Sequence, residues 1–402
     1  MMLFWVKIFF IIVIFVVSLR FKINIGISLL ISSLFIGLFF YSGFKQISDV
    51  FVKSITSYTT VKTVIIIYSV LLLTNVIKEK GIKVITESLL EIFKDVKYAI
   101  IFPPMFIGLL PMPGGALVPS EIVNELGDKI DMKPEEKTFV NYWFRHIWEY
   151  FWPLYPGLIL TSNILSVPIK EVMKHQFYLT IVAFLIGIFF IKKLKNVKVE
   201  RKIPLSKSLL NVFLGFLPVL LIVVLILFSK FREEIIVFSV SFFFLIILKV
   251  GIKKKVKIFI KSISLDMILL IVGVMVFKDF FSNSEVIKNN FLLFQNYKAT
   301  YYILLIFIPV LIGIFTGVNQ AYVGILLPIV STIILKENGS VDFIKLTLFY
   351  ASGFFGVLIS PVHLCLSLTR EYFKADWSKV YRILFPSTLP ILLIPLLVDL
   401  IL

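Results

Sequence analysis

Two short segments rich in glycine or proline interrupt long apolar stretches of the chain. Residues 111–115 are Pro-Met-Pro-Gly-Gly, and residues 316–320 are Thr-Gly-Val-Asn-Gln. Such runs do not continue a helix, because proline lacks the amide hydrogen and glycine favours turns. Beside the second break, Thr316, Asn319 and Gln320 can each coordinate a sodium ion or hydrogen-bond to a carboxylate. The alternative is that these side chains only cap the broken helix.

Prolines create a second pair of breaks inside two other apolar stretches. Pro156 is followed by Gly157, and Pro361 lies between Ser360 and His363. A proline inside a helix frees a carbonyl, which can bind a cation, and the next half-helix begins with a positive end that favours an anion. We interpret the four breaks as one binding site, with an ordinary proline kink as the alternative. The predicted binding residues are Pro113, Gly114, Gly115, Thr316, Gly317, Asn319, Gln320, Pro156, Gly157, Ser360, Pro361 and His363. The candidate sodium ligands among them are Gly114, Thr316 and Asn319.

Arg145, His146 and Glu149 form a separate charged cluster within an apolar stretch. Arg145 and Glu149 are four residues apart, so on a continuous helix they face the same side and can pair. Ionisable groups at membrane depth are functional candidates. The cluster is therefore either a gating or proton-relay element or a structural ion pair.

The composition places these residues in a lipid environment. The 402 residues are 59% hydrophobic with a mean hydropathy of +1.00, which is too apolar for one soluble core. A membrane-crossing helix needs about 20 apolar residues, and ten such stretches occur, so we predict an all-α polytopic protein of the cell (inner or plasma) membrane.

The net charge of +17 lies in short loops, which excludes a nucleic-acid partner. Cys365 is the only cysteine, which predicts neither a disulfide nor a cysteine-based metal site.

The two halves of the chain are related by an internal repeat at an offset of 205 residues. Residues 101–108 share Ile, Phe, Pro, Ile and Gly in register with residues 306–313, and Pro156 falls on Pro361. Each half contains five spans and one interrupted element, and an odd number of crossings makes the repeats inverted. The predicted first repeat is 1–191, with a re-entrant hairpin near 99–127 and a broken span near 139–163. A basic connector at 192–207 leads to the second repeat at 208–402, with a hairpin near 301–335 and a broken span near 343–369.

Basic residues predict the orientation of the chain, because cytoplasmic loops are enriched in Lys and Arg. Residues 249–261 carry six lysines, whereas the equivalent loop at 41–58 carries two. The connector at 192–207 carries seven basic residues. We therefore expect the connector to be cytoplasmic and both termini to lie outside.

Three motifs resemble an uncharacterised family within the ion-transporter superfamily, which includes gluconate permeases, divalent-anion/sodium symporters, arsenite permeases and sodium/proton antiporters. They are Met-Pro-Gly-Gly-Ala at 112–116, Thr-Gly-x-Asn-x-Ala at 316–321 and Ser-Pro-Val-His-Leu-Cys-Leu at 360–366. The resemblance covers essentially the whole chain. It implies inverted repeats with re-entrant hairpins and unwound spans, a homodimer, and elevator-type movement. The chain lacks the Ser-Asn-Thr hairpin tips of the carboxylate symporters.

The leading functional hypothesis is a secondary active transporter of a small anionic organic solute, coupled to Na⁺ or H⁺. No phosphate loop, zinc helix or nucleophile elbow is present, so we predict neither enzymatic activity nor a cofactor beyond the coupling ion. The expected partners are the lipid bilayer, the solute and a second copy of the chain. The alternatives are a membrane-embedded enzyme acting on a lipid-linked substrate through Arg145, His146 and Glu149, or a passive channel.

Overall fold

A computed structural model describes residues 2–21, 23–93, 95–112, 114–198, 204–287, 301–336 and 338–401. The fold of these ranges is all-α. Apart from two isolated bridges, Asp95 to Lys198 and Leu335 to Val341, the described ranges contain no β structure.

The helices of the first half end in the basic connector. They are α1 (Met2–Arg20), α2 (Ile25–Phe40), α3 (Phe44–Thr56), α4 (Tyr58–Ile92), α5 (Val96–Ala99), α6 (Phe102–Gly108), α7 (Leu117–Lys129), α8 (Pro134–His146), α9 (Pro156–Leu165) and α10 (Ile169–Lys192). Gly81 interrupts α4 with a φ of 116°.

The described helices of the second half follow the same order. They are α11 (Leu205–Phe228), α12 (Glu233–Ile247), α13 (Ile252–Lys261), α14 (Leu265–Ser282), α15 (Ile308–Thr316), α16 (Asn319–Ile334), α17 (Phe343–Leu358), α18 (Leu364–Phe373) and α19 (Trp377–Ile401). A π-helical turn, Ile303–Phe307, leads into α15.

The helices have the length and composition of membrane spans. Within the described ranges, five helical segments are long and apolar enough to cross a bilayer: Phe44–Gly81, Ile169–Lys192, Leu205–Phe228, Ile252–Ser282 and Trp377–Ile401. Seven shorter apolar helices accompany them in the same ranges. Large apolar side chains such as Leu38, Phe189 and Phe228 are more than half exposed on the outside of the protein. Such an apolar surface is expected where the outside of the protein faces lipid. The protein is therefore an all-α membrane protein.

Some helices of the protein approach one another to backbone contact. The α2 helix packs along α14, and α4 packs along α11 and α12. A Cβ atom added to Gly26 would lie 2.2 Å from the backbone of Leu269, and one added to Gly273 would lie 2.3 Å from the Gly26 oxygen. Small residues permit such close packing in membranes, where van der Waals contact supplies much of the association energy.

The four predicted breaks all leave helical geometry. Between α6 and α7 the chain turns through Gly114, which has a φ of 66°, and α15 ends at Gly317 with a φ of 61°. These left-handed conformations carry little cost for glycine. Each predicted broken span is two helices: α8 and α9, then α17 and α18.

The prolines of the two broken spans, Pro156 and Pro361, take different positions relative to the helix that follows each of them. Pro156 is the first residue of α9, where its missing amide hydrogen costs nothing, whereas Pro361 lies in the turn before α18 begins at Leu364.

Candidate functional site

The four breaks meet around one cavity of about 260 Å³. Its polar wall combines residues from the end of α8, the turn before α9, the start of α16 and the start of α18. The lining residues are Ile67, Val70, Leu71, Pro111, Met112, Gly114, Arg145, His146, Glu149, Tyr155, Pro156, Met267, Gly317, Val318, Asn319, Gln320, Val362, His363, Leu364 and Cys365.

The predicted site residues divide into those that line the cavity and those that stand behind it. Gly114, Pro156, Gly317, Asn319, Gln320 and His363 line it, together with Arg145, His146 and Glu149. Gly115, Gly157, Thr316 and Pro361 are next to lining residues, and Ser360 is two residues from Val362, but none of these five is part of the wall. Pro113 lies outside the described residues. The sequence analysis treated the cluster of Arg145, His146 and Glu149 as separate from the four breaks. The structure brings the cluster and the breaks to the same cavity.

Arg145 is a buried cation at the end of α8. Its Nη1 donates to the carbonyl of Ile107 at 3.1 Å and its Nη2 to the carbonyl of Met112 at 2.7 Å. Its Nε has no hydrogen-bond partner within the described part of the chain. No carboxylate of the described ranges lies within 4.0 Å of the guanidinium, so this buried charge has no direct counter-ion among these groups.

The predicted ion pair between Arg145 and Glu149 does not form. Helix α8 ends at His146, and the turns that follow carry Glu149 away from the position it would take on a continuous helix. The Glu149 carboxylate instead lies 3.8 Å from Nε2 of His146. The helical spacing argument failed because the helix stops one residue after Arg145.

Asn319 begins α16 and links the two halves of the chain. Its amide nitrogen donates to the Tyr350 hydroxyl at 2.9 Å and lies 3.5 Å from the Glu149 carboxylate. The Tyr350 hydroxyl donates in turn to the backbone carbonyl of Glu149 at 2.9 Å. This chain of donors fixes the amide orientation, because the tyrosine hydrogen is already used. The Oδ1 atom of Asn319 is buried and has no hydrogen-bond partner among the described groups.

Two histidines from the two halves of the chain meet at the cavity. The Nε2 atoms of His146 and His363 lie 3.1 Å apart. Each Nδ1 faces a backbone carbonyl at 2.6 Å, that of Tyr142 for His146 and that of Gly317 for His363. The Cys365 sulfur and these histidine nitrogens form a group of potential ligand atoms that all lie within 4.8 Å of one another.

Side chains from each broken span satisfy the carbonyls at the end of the neighbouring hairpin helix. Trp148 donates to Met105, Trp152 to Leu109 and Tyr155 to Gly108. In the second half, Ser360 donates to Ile314 at 2.5 Å. Non-helical backbone at membrane depth is stable only when its polar groups are paired in this way.

Thr316, a predicted sodium ligand, is occupied by a local role. Its hydroxyl donates to the Ile312 carbonyl at 2.7 Å and accepts from the Val318 amide at 3.4 Å. The capping alternative therefore describes its contacts in this structure.

Three of the described helices begin at the cavity, and a fourth begins close to it. Pro156 opens α9, Asn319 opens α16 and Leu364 opens α18, while Gly114 lies three residues before α7. The positive ends of these helices, each equivalent to roughly half a charge, therefore surround the same space as Arg145. Glu149 is the one lining residue with a carboxylate.

Several lining residues were not predicted from the sequence. Tyr155 and Met112 stand beside breaks that the prolines and glycines had marked, so proximity to the break was an available signal. Cys365 was set aside because one cysteine supplies only one sulfur. That prediction is not tested by the structure, but the structure places His146 and the neighbouring His363 with Cys365 in one group of three potential ligands.

The sequence comparisons place the chain in a family. A search of curated proteins finds no match. The family described as "Protein of unknown function (DUF401)" matches residues 4–402, which is nearly the whole chain, and the protein therefore belongs to this family.

Proposed function

We propose that the protein is a secondary active transporter of a small anionic organic solute, coupled to Na⁺ or H⁺. The observation that carries this proposal is the convergence on one cavity of several helix N-termini and a buried guanidinium that has no direct carboxylate partner among the described residues. Both features favour an anion in a low-dielectric interior. A cavity of about 260 Å³ is smaller than the usual range for drug-sized ligands, which indicates a solute of few heavy atoms.

The helix boundaries support the inverted-repeat architecture within this proposal. At the offset of 205 residues, α6 corresponds to α15, α9 to α18 and α10 to α19. The packing follows the same relation, because α2 packs on α14 while its counterpart α12 packs on α4, the counterpart of α14. With five crossings in each half, the second half enters from the opposite face.

Membership of the ion-transporter superfamily, a homodimer and elevator-type movement are further parts of the proposal. They rest on the resemblance of the three motifs at 112–116, 316–321 and 360–366. We also propose a plasma or inner membrane location, a cytoplasmic connector and external termini, which rest on the distribution of basic residues.

Flux into proteoliposomes tests the proposal. Purified protein is reconstituted, and uptake of labelled small carboxylates and sugar acids is measured with a sodium gradient, with a proton gradient and with neither. We expect gradient-dependent uptake, reduced at least about tenfold by Asn319→Ala and by His363→Ala. His175→Ala is the matched control, because His175 is packed on Phe343 away from the cavity lining.

The two alternative functions predict different results in the same assay. A passive channel gives flux that follows the solute gradient alone and needs no ion gradient. A membrane-embedded enzyme converts a lipid-linked substrate without any gradient. Gradient-independent flux or such a product would contradict the transporter proposal.

A further inference from the structure

The chain is poor in histidine and cysteine, and three of these four residues lie in one place. It contains three histidines and one cysteine in 402 residues. His146, His363 and Cys365 come from two distant segments, yet their ligand atoms lie within 4.8 Å of one another. Imidazole nitrogen and thiolate sulfur are the donors that zinc and other thiophilic transition metals select.

Each histidine is oriented as a metal ligand usually is. A backbone carbonyl can only accept, so the Nδ1 of each ring carries the hydrogen that faces Tyr142 in one case and Gly317 in the other, both at 2.6 Å. Metal-ligating histidines almost always donate their second nitrogen to such an acceptor, which fixes the tautomer and the ring orientation. The Nε2 lone pairs are then left for the ion.

The short distance between the two Nε2 atoms requires a positive charge between the two rings. Two neutral rings in this tautomer present lone pairs to each other at 3.1 Å, which is repulsive unless a positive charge lies between them. Two nitrogens bound at 2.0–2.1 Å to a tetrahedral zinc ion stand about 3.3 Å apart. A shared proton would use only the two nitrogens, whereas a metal ion also uses the sulfur of Cys365. The Glu149 carboxylate, 3.8 Å from Nε2 of His146, lies close enough to balance part of the charge of the ion.

The geometry points to a binding site for one thiophilic transition-metal ion at His146, His363 and Cys365, with the fourth position open to the cavity. This site goes beyond the proposed transport function and does not depend on it. Zn²⁺ and Co²⁺ are the probe ions.

The charges of the surrounding groups decide how such an ion is balanced. Metal binding displaces the thiol hydrogen to solvent, so Cys365 and Glu149 together supply two negative charges. Arg145 supplies one positive charge and interacts electrostatically with both groups. A divalent ion leaves one positive charge in excess, which a small anion in the open position would neutralise. The ion and the proposed solute would then bind cooperatively.

Direct binding tests the site. Full-length protein in detergent is stripped with a chelator and titrated with Zn²⁺ against a chromophoric competitor, and with Co²⁺ under absorbance. We expect one ion per chain. Because the chain has a single cysteine, a thiolate-to-cobalt charge-transfer band can arise only from Cys365.

Conservative variants separate the ligands from the fold. His146→Asn and His363→Asn keep a donor near the Nδ1 position and delete Nε2, while Cys365→Ser replaces the sulfur by oxygen. We expect each to weaken Zn²⁺ binding at least about tenfold, a loss typical even of outer groups at metal sites. We also expect Cys365→Ser to abolish the charge-transfer band. His175→Asn makes the same change at a histidine outside the cluster and should bind normally.

Three results would overturn the site. They are no saturable Zn²⁺ or Co²⁺ binding by folded wild-type protein, normal affinity in all three ligand variants, or a Co²⁺ spectrum without a thiolate band. Size-exclusion profiles establish that each variant is folded. Failure of metal binding with intact solute uptake would refute the site and leave the transport proposal standing, and the converse result would refute transport alone.

Discussion

Gly115 leaves the space that the Arg145 guanidinium occupies: a Cβ atom added to Gly115 would lie 2.8 Å from Nη2 and 2.9 Å from Nη1 of Arg145. The clash is with the tip of a long side chain, so the guanidinium should move while the fold persists. We expect Gly115→Ala to weaken solute binding roughly tenfold, or about 1.4 kcal/mol, with thermal stability nearly unchanged. Gly43→Ala, with no atom within 4 Å of the added Cβ, is the control. Wild-type affinity in Gly115→Ala would argue against a role of Arg145 in binding.

Replacing Arg145 by lysine tests the shape of the cation at constant charge. The guanidinium donates to the Ile107 and Met112 carbonyls, and its Nε has no hydrogen-bond partner among the described residues. A lysine ammonium is a compact charge and lacks the planar fork that lets the guanidinium reach both carbonyls at once. We expect Arg145→Lys to lower uptake at least about tenfold, measured as initial rates in proteoliposomes. Arg382→Lys makes the same change on the exposed surface of α19 and should transport normally.

Tyr350 and Tyr322 allow a matched comparison of two buried hydroxyls. The Tyr350 hydroxyl joins Asn319 to the Glu149 carbonyl, while the Tyr322 hydroxyl donates to the Tyr350 carbonyl at 3.0 Å and does not line the cavity. Removing either should cost about 0.5–1.5 kcal/mol of stability, because each variant loses a buried hydrogen bond. We expect both Tyr→Phe variants to melt earlier and only Tyr350→Phe to raise the KM for solute. Equal KM values would show that the Asn319 orientation does not matter for binding.

The positions of the helix breaks can be predicted from the sequence because proline and glycine act locally. The segments at 111–115 and 316–320 interrupt helices as expected, and α9 begins at Pro156. The composition of the site cannot be predicted in the same way. His146 and His363 are 217 positions apart, and Tyr350 meets Asn319 only after α17 has packed against α16. The paired interpretation of Arg145 and Glu149 failed for a local reason: α8 ends at His146, whereas the first proline after it is Pro153, so no proline or glycine marks the end of the helix.

The contact between α2 and α14 should be highly sensitive to a single methyl group. A Cβ at Gly26 would lie 2.2 Å from backbone atoms of Leu269, which cannot turn aside as a side chain can. We expect Gly26→Ala to lose roughly 1–3 kcal/mol or more of stability by overpacking, seen as a lower midpoint in thermal unfolding followed by size exclusion. Gly251→Ala has no atom within 4 Å of the new Cβ and should match the wild type. An unchanged midpoint for Gly26→Ala would mean that the two helices are farther apart than described.

Two exposed glycines test the inversion of the halves directly. Gly43 precedes α3 and Gly251 precedes α13, its counterpart, and neither has an atom within 4 Å of an added Cβ. In a Cys365→Ser background, Gly43→Cys and Gly251→Cys each carry a single thiol. The six lysines at 249–261 against two at 41–58 predict that Gly251 lies in the cytoplasm and Gly43 outside.

A membrane-impermeant maleimide should therefore label Gly43→Cys in intact cells, and Gly251→Cys only after lysis. Labelling of both from the same side would mean that the halves are parallel, which removes the argument for breaks that approach the cavity from opposite faces. Labelling with the two sides exchanged would keep the inversion but reverse the predicted orientation. The two substitutions are matched in exposure and in position before a helix, so a difference in labelling reports the side of the membrane rather than local packing.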